Sequence, residues 1–340
     1  MAELVTQIPS CCFPHEADSI ELTATAATAV TLKCGTRSMT LNLTPDSAGK
    51  ILVEDLADVL RDFIPEGQAA QAVVQYDGGE RSFTLIPCRV EMGMTAAEFT
   101  ASHFLTLLRG AKDTYAGATE YLTVFTSSGT RPAFSASLLW AAPQTGEVRT
   151  QTVAEAQLGT VTETGQMATL QMQLSFRAPA DGFVLHSLTV TCGNRQQGYI
   201  LSPTLDAQPV TLTFLNSFGQ RETFHCFGTV QTELKPTRST ASFAGRTRNF
   251  RVEATEELTA QTGAVAAQAV PLFADLCAAT RAWDAQGTEI CITDNDLKLS
   301  NDLYEVQAGS VTWRASARAG HYEPTQAVRT FDDTFDQTFL

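Results

Sequence analysis

Apolar and polar residues alternate with a period of two along much of the chain, a pattern typical of β-strands with one buried face. The clearest instance lies in residues 209–230, PVTLTFLNSFGQRETFHCFGTV, where Val210, Leu212 and Phe214 alternate with threonines. The NSFG sequence at 216–219 supplies turn chemistry, because Asn bonds its own backbone and Gly adopts positive φ. Residues 209–230 are therefore predicted to form a β-hairpin with an aromatic tip.

The same alternation, interrupted by turns that carry Gly or Pro, predicts many further short strands. Their spacing favours a β-sandwich or barrel over a parallel sheet. Residues 99–108 fit either a short helix or a strand. Strands are expected in residues 20–43 (two strands), 72–76, 82–90, 121–126, 133–141, 148–153, 169–176, 184–191, 290–293, 303–306 and 310–317.

Helical spacing of apolar residues predicts one helix near residues 50–64, and a shorter helix is expected over 270–279. The apolar stripe of the first helix consists of Leu52, Leu56, Val59, Leu60 and Phe63. The predicted fold is mainly β, with a β-sandwich-like domain that carries one inserted helix, plus a small second α+β domain. The expected segments are this first domain over 1–205, the hairpin and a basic stretch over 206–262, the second domain over 263–325, and a C-terminal docking tail over 326–340.

Composition and charge narrow the classes of partner. The 340 residues are 44% apolar and 18% charged, as in a globular chain. A net charge of −14 repels phosphate backbones, so nucleic-acid binding is not expected. No run reaches the ~20 apolar residues of a membrane span. MAELVTQIPSCCFPHE shows no secretory signal, so synthesis in a cytoplasm is expected, where the eight cysteines stay reduced.

Motifs for catalysis, metals and cofactors are weak. The chain has no Gly-x-Ser-x-Gly elbow, Walker loop or Gly-x-Gly-x-x-Gly, so neither a catalytic site nor a cofactor is predicted. Residues 294–305 match a calcium loop at three positions, but a lysine takes a ligand position and a leucine replaces the turn glycine. A polar hairpin loop is therefore favoured. A second group lacks zinc spacing and is interpreted as core or incidental: Cys11, Cys12, His15 and Cys34.

A basic stretch over residues 235–251 stands out in this acidic chain. It contains five basic residues and no acidic one: Lys235, Arg238, Arg246, Arg248 and Arg251. One interpretation is a solvated loop or one face of two strands. The other is a basic patch that complements an acidic neighbour in a ring or stack.

The C-terminal sequence FDDTFDQTF repeats Phe every four residues, at Phe331, Phe335 and Phe339. As a helix or as a strand, this spacing places all three rings on one face. So short a segment does not bury three rings against itself. It is expected to dock on its own domain or on a neighbouring subunit.

Three segments rich in aromatic residues, turn residues and Thr follow one another along the chain. They are FLT at 104–106 with YLTVF at 121–125, then FLNSFGQRETFHCFG at 214–228, then the terminal FDDTFDQTF. The middle segment has Phe, then Leu-Asn-x-Phe-Gly, then a Glu and an aromatic residue. In these segments the chain resembles tail structural proteins of phages and prophages of Bacteroidetes-type bacteria. The resemblance implies a virion tail part that is made in a bacterial host cytoplasm.

The resulting hypothesis is a non-enzymatic component of a phage or prophage tail, which assembles with copies of itself or with other tail proteins. Its expected contact residues are the basic stretch, the three terminal Phe residues, and Asn216, Phe218 and Gly219 of the hairpin.

The alternative is a carbohydrate-binding or adhesive β-sandwich module. Such modules hold sugars with exposed aromatic rings and loop amides. The candidate rings are Trp140, Trp283 and Trp313, although each lies in or beside an apolar stretch.

Overall fold

A computed structural model describes residues 2–127, 131–202, 209–298 and 307–316. Within these residues the chain is mainly β, with its strands in five sheets. The mainly-β class with several sheets, predicted from the alternation, is confirmed. The strand expected at 303–306 and the tail with Phe331, Phe335 and Phe339 lie outside the described residues.

The N-terminal part consists of two sheets, ordered β1-β3-β6 and β2-β8-β7-β4-β5. Apolar residues of both sheets, such as Leu22 and Val74, form one core, because each strand turns alternate side chains inward. The elements are β1 Glu3–Leu4, β2 Cys11–Cys12, β3 Ile20–Thr23, β4 Thr28–Cys34, β5 Arg37–Leu43, β6 Lys50–Val53, α1 Leu56–Phe63, β7 Ala70–Tyr76 and β8 Gly79–Leu85.

The helix predicted near residues 50–64 begins later than expected, at the start of α1. The residues before it form β6, which pairs with β3. Leu52, assigned from the sequence to the helix stripe, is instead an outward-facing strand residue that is 55% exposed. The reason is that Ile51 and Val53 fill the core with a period of two, which overrides the helical spacing.

The middle part is β-sandwich-like, with sheets ordered β10-β14-β13 and β12-β11-β15-β16-β9. Its core combines residues of both sheets, including Leu170 from one and Trp140 from the other. The elements are α2 Ala96–Ser102, β9 Lys112–Thr114, β10 Thr119–Phe125, β11 Phe134–Ala142, β12 Glu147–Ala154, α3 Glu155–Leu158, β13 Gly159–Thr164, β14 Met167–Gln173, β15 Val184–Cys192 and β16 Arg195–Leu201.

The C-terminal part is one seven-stranded sheet, ordered β18-β17-β21-β22-β23-β20-β19, with a helix packed on it. The sheet crosses the boundary expected at residue 263, because β23 pairs with β20 and β21 pairs with β17. Residues on both sides of 263 therefore share one core. The elements are β17 Val210–Leu215, β18 Arg221–Cys226, β19 Val230–Phe243, β20 Arg246–Gln261, α4 Val270–Cys277, β21 Ala282–Trp283, β22 Glu289–Lys298 and β23 Ala308–Ala315.

Strands lie where the sequence predicts them in the hairpin β17–β18 and in β10, β11, β12, β14 and β15, whereas residues 20–43 form three strands, β3, β4 and β5, instead of two. Among the strands that the sequence did not indicate are β9, β13 and β16. These strands are rich in Thr, Gln, Glu and Lys, so an apolar period is weak in them. Residues 99–108, left open above, begin as helix α2 and continue without regular structure.

A small aromatic core joins the three parts. Phe13 from the N-terminal part, Phe99 of α2 and Phe218 of the hairpin turn are all buried there. The rings of Phe99 and Phe218 stack with centroids 5.3 Å apart. The turn of the hairpin is thus an internal joint between segments that are distant in sequence.

Gly219 in this turn has φ +68°, as its assignment to a positive-φ turn position requires, and a Cβ there would lie 2.9 Å from the backbone nitrogen of Gly67. We expect Gly219→Val to lower the free energy of unfolding by more than the roughly 1 to 3 kcal/mol of backbone strain alone. Gly146→Val is the matched control, because Gly146 has φ +71° and open space around it.

Urea unfolding of both variants measures the difference. If Gly219→Val costs no more than Gly146→Val, the contact between the hairpin turn and Gly67 contributes nothing to stability.

Candidate functional site

The hairpin β17–β18 is buried on both of its faces, whereas the sequence predicts one buried face. In β18 the polar residues Glu222, Thr223 and His225 are as buried as Phe224 and Cys226. The polar face packs on the middle part of the chain instead of facing solvent. Buried polar groups of this kind require hydrogen-bond partners, and those partners define the site.

Lys112 and Glu120 form a buried ion pair, with 2.6 Å between Nζ and Oε2. Lys112 lies on β9, Glu120 on β10, and both contact Thr223 of β18. Nζ donates to the Thr223 carbonyl at 2.5 Å, and the Thr223 hydroxyl donates to Glu120 at 2.6 Å. Burial opposes ionisation of Glu120, but Lys112 and His225 outweigh it and hold the pKa well below its usual range.

His225 completes the polar cluster. Its Nε2 lies 2.7 Å from Oε1 of Glu120, and its Nδ1 lies 2.8 Å from the hydroxyl of Thr211. Burial lowers the pKa of His225 in spite of the neighbouring carboxylate, so the ring is neutral near pH 7.

Glu222 is a second buried carboxyl group, on the same strand. It accepts hydrogen bonds from the Thr106 hydroxyl and, at 2.8 Å, from the Asn216 amide. The Asn216 amide also donates to the Leu105 carbonyl at 2.8 Å. Burial raises the pKa of Glu222 to about 7, although the positive charge of Lys112 acts in the opposite direction.

The hairpin turn is also bonded to α4 and to the N-terminal part. Asp275 of α4 accepts hydrogen bonds from the backbone N–H of Ser217 at 2.9 Å and from its hydroxyl at 2.6 Å. Arg89 lies 3.8 Å from Asp275 and donates to the Leu215 carbonyl at 2.9 Å. Each polar side chain of the turn therefore has a structural partner.

The groups of this cluster bond to one another inside the chain. Glu120 and His225 have the types of group used in acid–base catalysis, but their side chains are 0% exposed. Both side chains therefore contact neighbouring groups of the chain and not solvent. Burial raises the pKa of the Cys12, Cys88 and Cys226 thiols to about 12, so these thiols are protonated near pH 7.

The hairpin residues predicted for partner contacts are placed differently from the expectation. Asn216 and Phe218 are buried inside the chain, and Gly219 abuts Gly67. The difference arises because the Phe218 ring and the Asn216 amide, which makes four hydrogen bonds, fill a gap between three parts of one chain. The side chains of Asn216 and Phe218 are therefore not exposed to a partner.

The basic stretch instead lies on a long hairpin, β19–β20, which we call the arm (residues 230–261). Its strands have 14 and 16 residues and pair along their whole length. Only Leu258–Gln261 pairs with the next strand, β23, so within the described residues the rest of the arm is a two-stranded ribbon beyond the sheet. Its turn, Ala244 and Gly245, has two successive positive φ values.

Charge is segregated along the arm. Near its base, Lys235 forms ion pairs with Glu257 at 2.6 Å and Glu233 at 3.6 Å. Farther out the exposed Arg238, Arg246 and Arg248 form no ion pair with the described side chains. Arg251 pairs through its backbone with Ser239 in β19.

The other candidates from the sequence do not assemble into sites. Within the described residues no three His, Cys, Asp or Glu residues lie together in a way that fits a metal ion. The stretch that matches part of a calcium loop is strand in Asp294–Lys298, within β22. Trp140 and Trp313 are buried, and Trp283 has the guanidinium groups of Arg221 and Arg281 about 5 Å from its ring.

A groove of about 1000 Å³ lies between α2 and β16. His103 and Asn194 line it together with apolar side chains such as Met92 and Leu107. The His103 ring stacks on Phe99 with centroids 5.0 Å apart. The groove thus combines an aromatic ring with amide groups, as sugar-binding clefts do.

Compared with protein-family models and with curated proteins, the chain has no match. Among the described residues, each helix is too short or too polar to cross a membrane.

We expect Lys112→Met to lower the free energy of unfolding by about 3 to 5 kcal/mol, because it leaves Glu120 charged and buried without its cation. The matched control is Lys50→Met, since Lys50 pairs with Glu21 near the surface, where solvent screening leaves such pairs with little effect on stability. Denaturant unfolding at pH 7 measures both losses. Equal losses would mean that the buried pair does not hold the sheets together.

Glu222 gives stability a pH dependence of known sign. Its folded pKa of about 7 lies above the ordinary 4.5, so its contribution is complete below about pH 4.5 and is lost as pH rises through 7. We expect Glu222→Gln to remove a fall of about 2 to 3 kcal/mol between pH 5 and pH 8. Glu120 does not interfere, because its pKa is lowered and it titrates below this window.

Unfolding curves at the two pH values test this, with the exposed Glu233→Gln as control. A fall of the same size in Glu222→Gln and in the unchanged chain would assign the pH dependence to other groups.

Proposed function

We propose that this chain is a non-enzymatic structural component that assembles through protein–protein contacts, and that its setting is the tail of a phage or prophage. The observation that carries the proposal is the arm. Its ribbon extends beyond the core with large apolar side chains in solvent, where a two-stranded hairpin alone is only marginally stable. Such a ribbon gains its stability from a partner.

The exposed apolar residues of the arm are concentrated on one face. Leu234 is 63% exposed, Val252 is 54% exposed and Val230 is 43% exposed. The register places all three on the face that carries Leu258 and Ala260 into the core. A contiguous apolar face in solvent is a mark of an interaction surface.

The buried cluster supports a structural role over an enzymatic one. Lys112, Glu120 and His225 bond to one another and to the hairpin, so the ion pair and the hydrogen bonds of His225 stabilise the contact between these strands. The resemblance to phage tail proteins supplies the setting. It rests on the hairpin sequence, which in this chain forms the internal joint, and on the order of the three segments along the chain.

A shortened arm tests the assembly role. Replacing residues 234–256 by Asn-Gly, which closes a two-residue hairpin turn between Glu233 and Glu257, removes the ribbon and keeps the part in the core. We expect this variant to keep its thermal midpoint and to lose association in sedimentation velocity and in copurification with co-expressed tail proteins. The control is Ala244→Asn, which has the same turn sequence on a full-length arm.

An unchanged sedimentation and copurification profile for the shortened arm would contradict the assembly role. Mass spectrometry of purified particles tests the setting separately, and absence of the chain from tails would contradict it.

The groove between α2 and β16 favours the carbohydrate-binding alternative as a second candidate function, since His103 and the amides beside it are the kind of groups that hold sugars. A glycan array with the chain separates the two functions. Binding that is lost in His103→Ala and retained in the shortened-arm variant would favour the module over the assembly part.

A further inference from the structure

We propose that the apolar face of the arm is covered by the same face of a second copy of this chain, with the two arms antiparallel. The inference rests on the proposed assembly role and names its partner. The face is formed by five cross-strand pairs: Val230–Ala260, Thr232–Leu258, Leu234–Glu256, Pro236–Ala254 and Arg238–Val252.

The apolar face of the arm continues the core face of the sheet. Leu258 pairs with Trp313 and Ala260 with Val311, and both partners are buried. The same alternation then continues outward through Leu234 and Val252, where the underlying core has ended. The sequence thus keeps a core-like pattern over residues that nothing in the described chain covers.

The two charged residues on this face select the orientation of a second copy. Arg238 lies at the outer end and Glu256 nearer the base, two cross-strand pairs apart, or about 14 Å at ~3.4 Å per residue. Two parallel arms would place Arg238 beside Arg238 and Glu256 beside Glu256. Antiparallel arms bring each Arg238 to the level of the Glu256 of the other copy, so the charges attract.

The small residues favour close approach at the centre of this arrangement. Among the three outermost pairs of the face, Pro236–Ala254 is the middle one. A two-fold axis through this pair places the Arg238–Val252 pair of one arm on the Leu234–Glu256 pair of the other. Leu234 and Val252 of the two copies then lie at the same level on each side of the axis.

Contact through the face is favoured over strand addition at the edge. β19 is the edge strand of the described sheet, and a chain that extended this sheet would bond to its free backbone groups. Pro236 lies in the middle of β19 and has no N–H to offer. Eight of the ten side chains of this face are exposed, fewer than the 20–30 residues of a standard interface, so we expect a weak, concentration-dependent association.

Charge reversal tests the pairing in the full-length chain. We expect Arg238→Glu alone and Glu256→Arg alone each to raise the dimer dissociation constant about tenfold or more, because each sets like charges at both ends of the interface. The double variant, Arg238→Glu with Glu256→Arg, restores the attraction and is expected to return the constant to its original value. Sedimentation equilibrium over a concentration series measures all three.

Matched controls carry the same charge changes away from the arm. Lys33 and Glu54 are exposed residues of the N-terminal part, so Lys33→Glu, Glu54→Arg and their double variant are expected to leave the dissociation constant unchanged. Circular dichroism spectra and melting temperatures verify that each arm variant is folded.

The outcomes separate the inference from the proposed function. If the single reversals have no effect, or if the double variant does not recover, the antiparallel pairing is wrong, even where the shortened arm still abolishes binding to tail proteins. Loss of self-association on removal of residues 317–340 in an otherwise unchanged chain would also overturn it, because the C-terminal segment would then be the occupant of the face. If the shortened arm changes no association at all, the assembly role fails as well.

Discussion

The ion pair between Lys112 and Glu120 is the contact on which the arrangement of the sheets depends. Its two residues come from different sheets of the middle part, and both bond to Thr223 at the edge of the C-terminal sheet. One buried cation thus joins three sheets. An unpaired charge at this depth is strongly destabilising, so the pair favours the arrangement of sheets that keeps Lys112 and Glu120 in contact.

Glu120 and Glu222 lie in one site, but the site gives their carboxyl groups different protonation states. Both are buried beside Lys112, but the amine bonds directly to Glu120 and only acts on Glu222 through space. Glu120 therefore remains ionised, whereas burial dominates at Glu222 and raises its pKa to about 7. Perturbed pKa values often mark active sites, but here the geometry explains them as a consequence of packing polar strands together.

The arm and the hairpin β17–β18 differ in the side chains that they bury. The hairpin β17–β18 buries polar groups that a strand usually exposes, and the arm exposes apolar groups that a strand usually buries. In both places the sequence departs from the simple rule of apolar inside and polar outside. In the joint the departure is satisfied within the chain. In the arm it points to a contact with another molecule, which is why the arm carries the functional proposal.

The sequence by itself determined the mainly-β class, most strands with apolar alternation, the hairpin at 209–230 and the positive φ of Gly219, because these follow from local periodicity and turn chemistry. It did not determine that Thr223 and His225 are buried, since polar residues on one face of a strand predict that this face is exposed to solvent. Nor did it reveal that residues on both sides of 263 share one sheet, because strand pairing between distant segments leaves no local signal. The basic stretch was visible in the sequence, but the register of the arm decided that Arg238 and Glu256 share the apolar face. That assignment depends on which side of the ribbon meets the core, which only tertiary packing fixes.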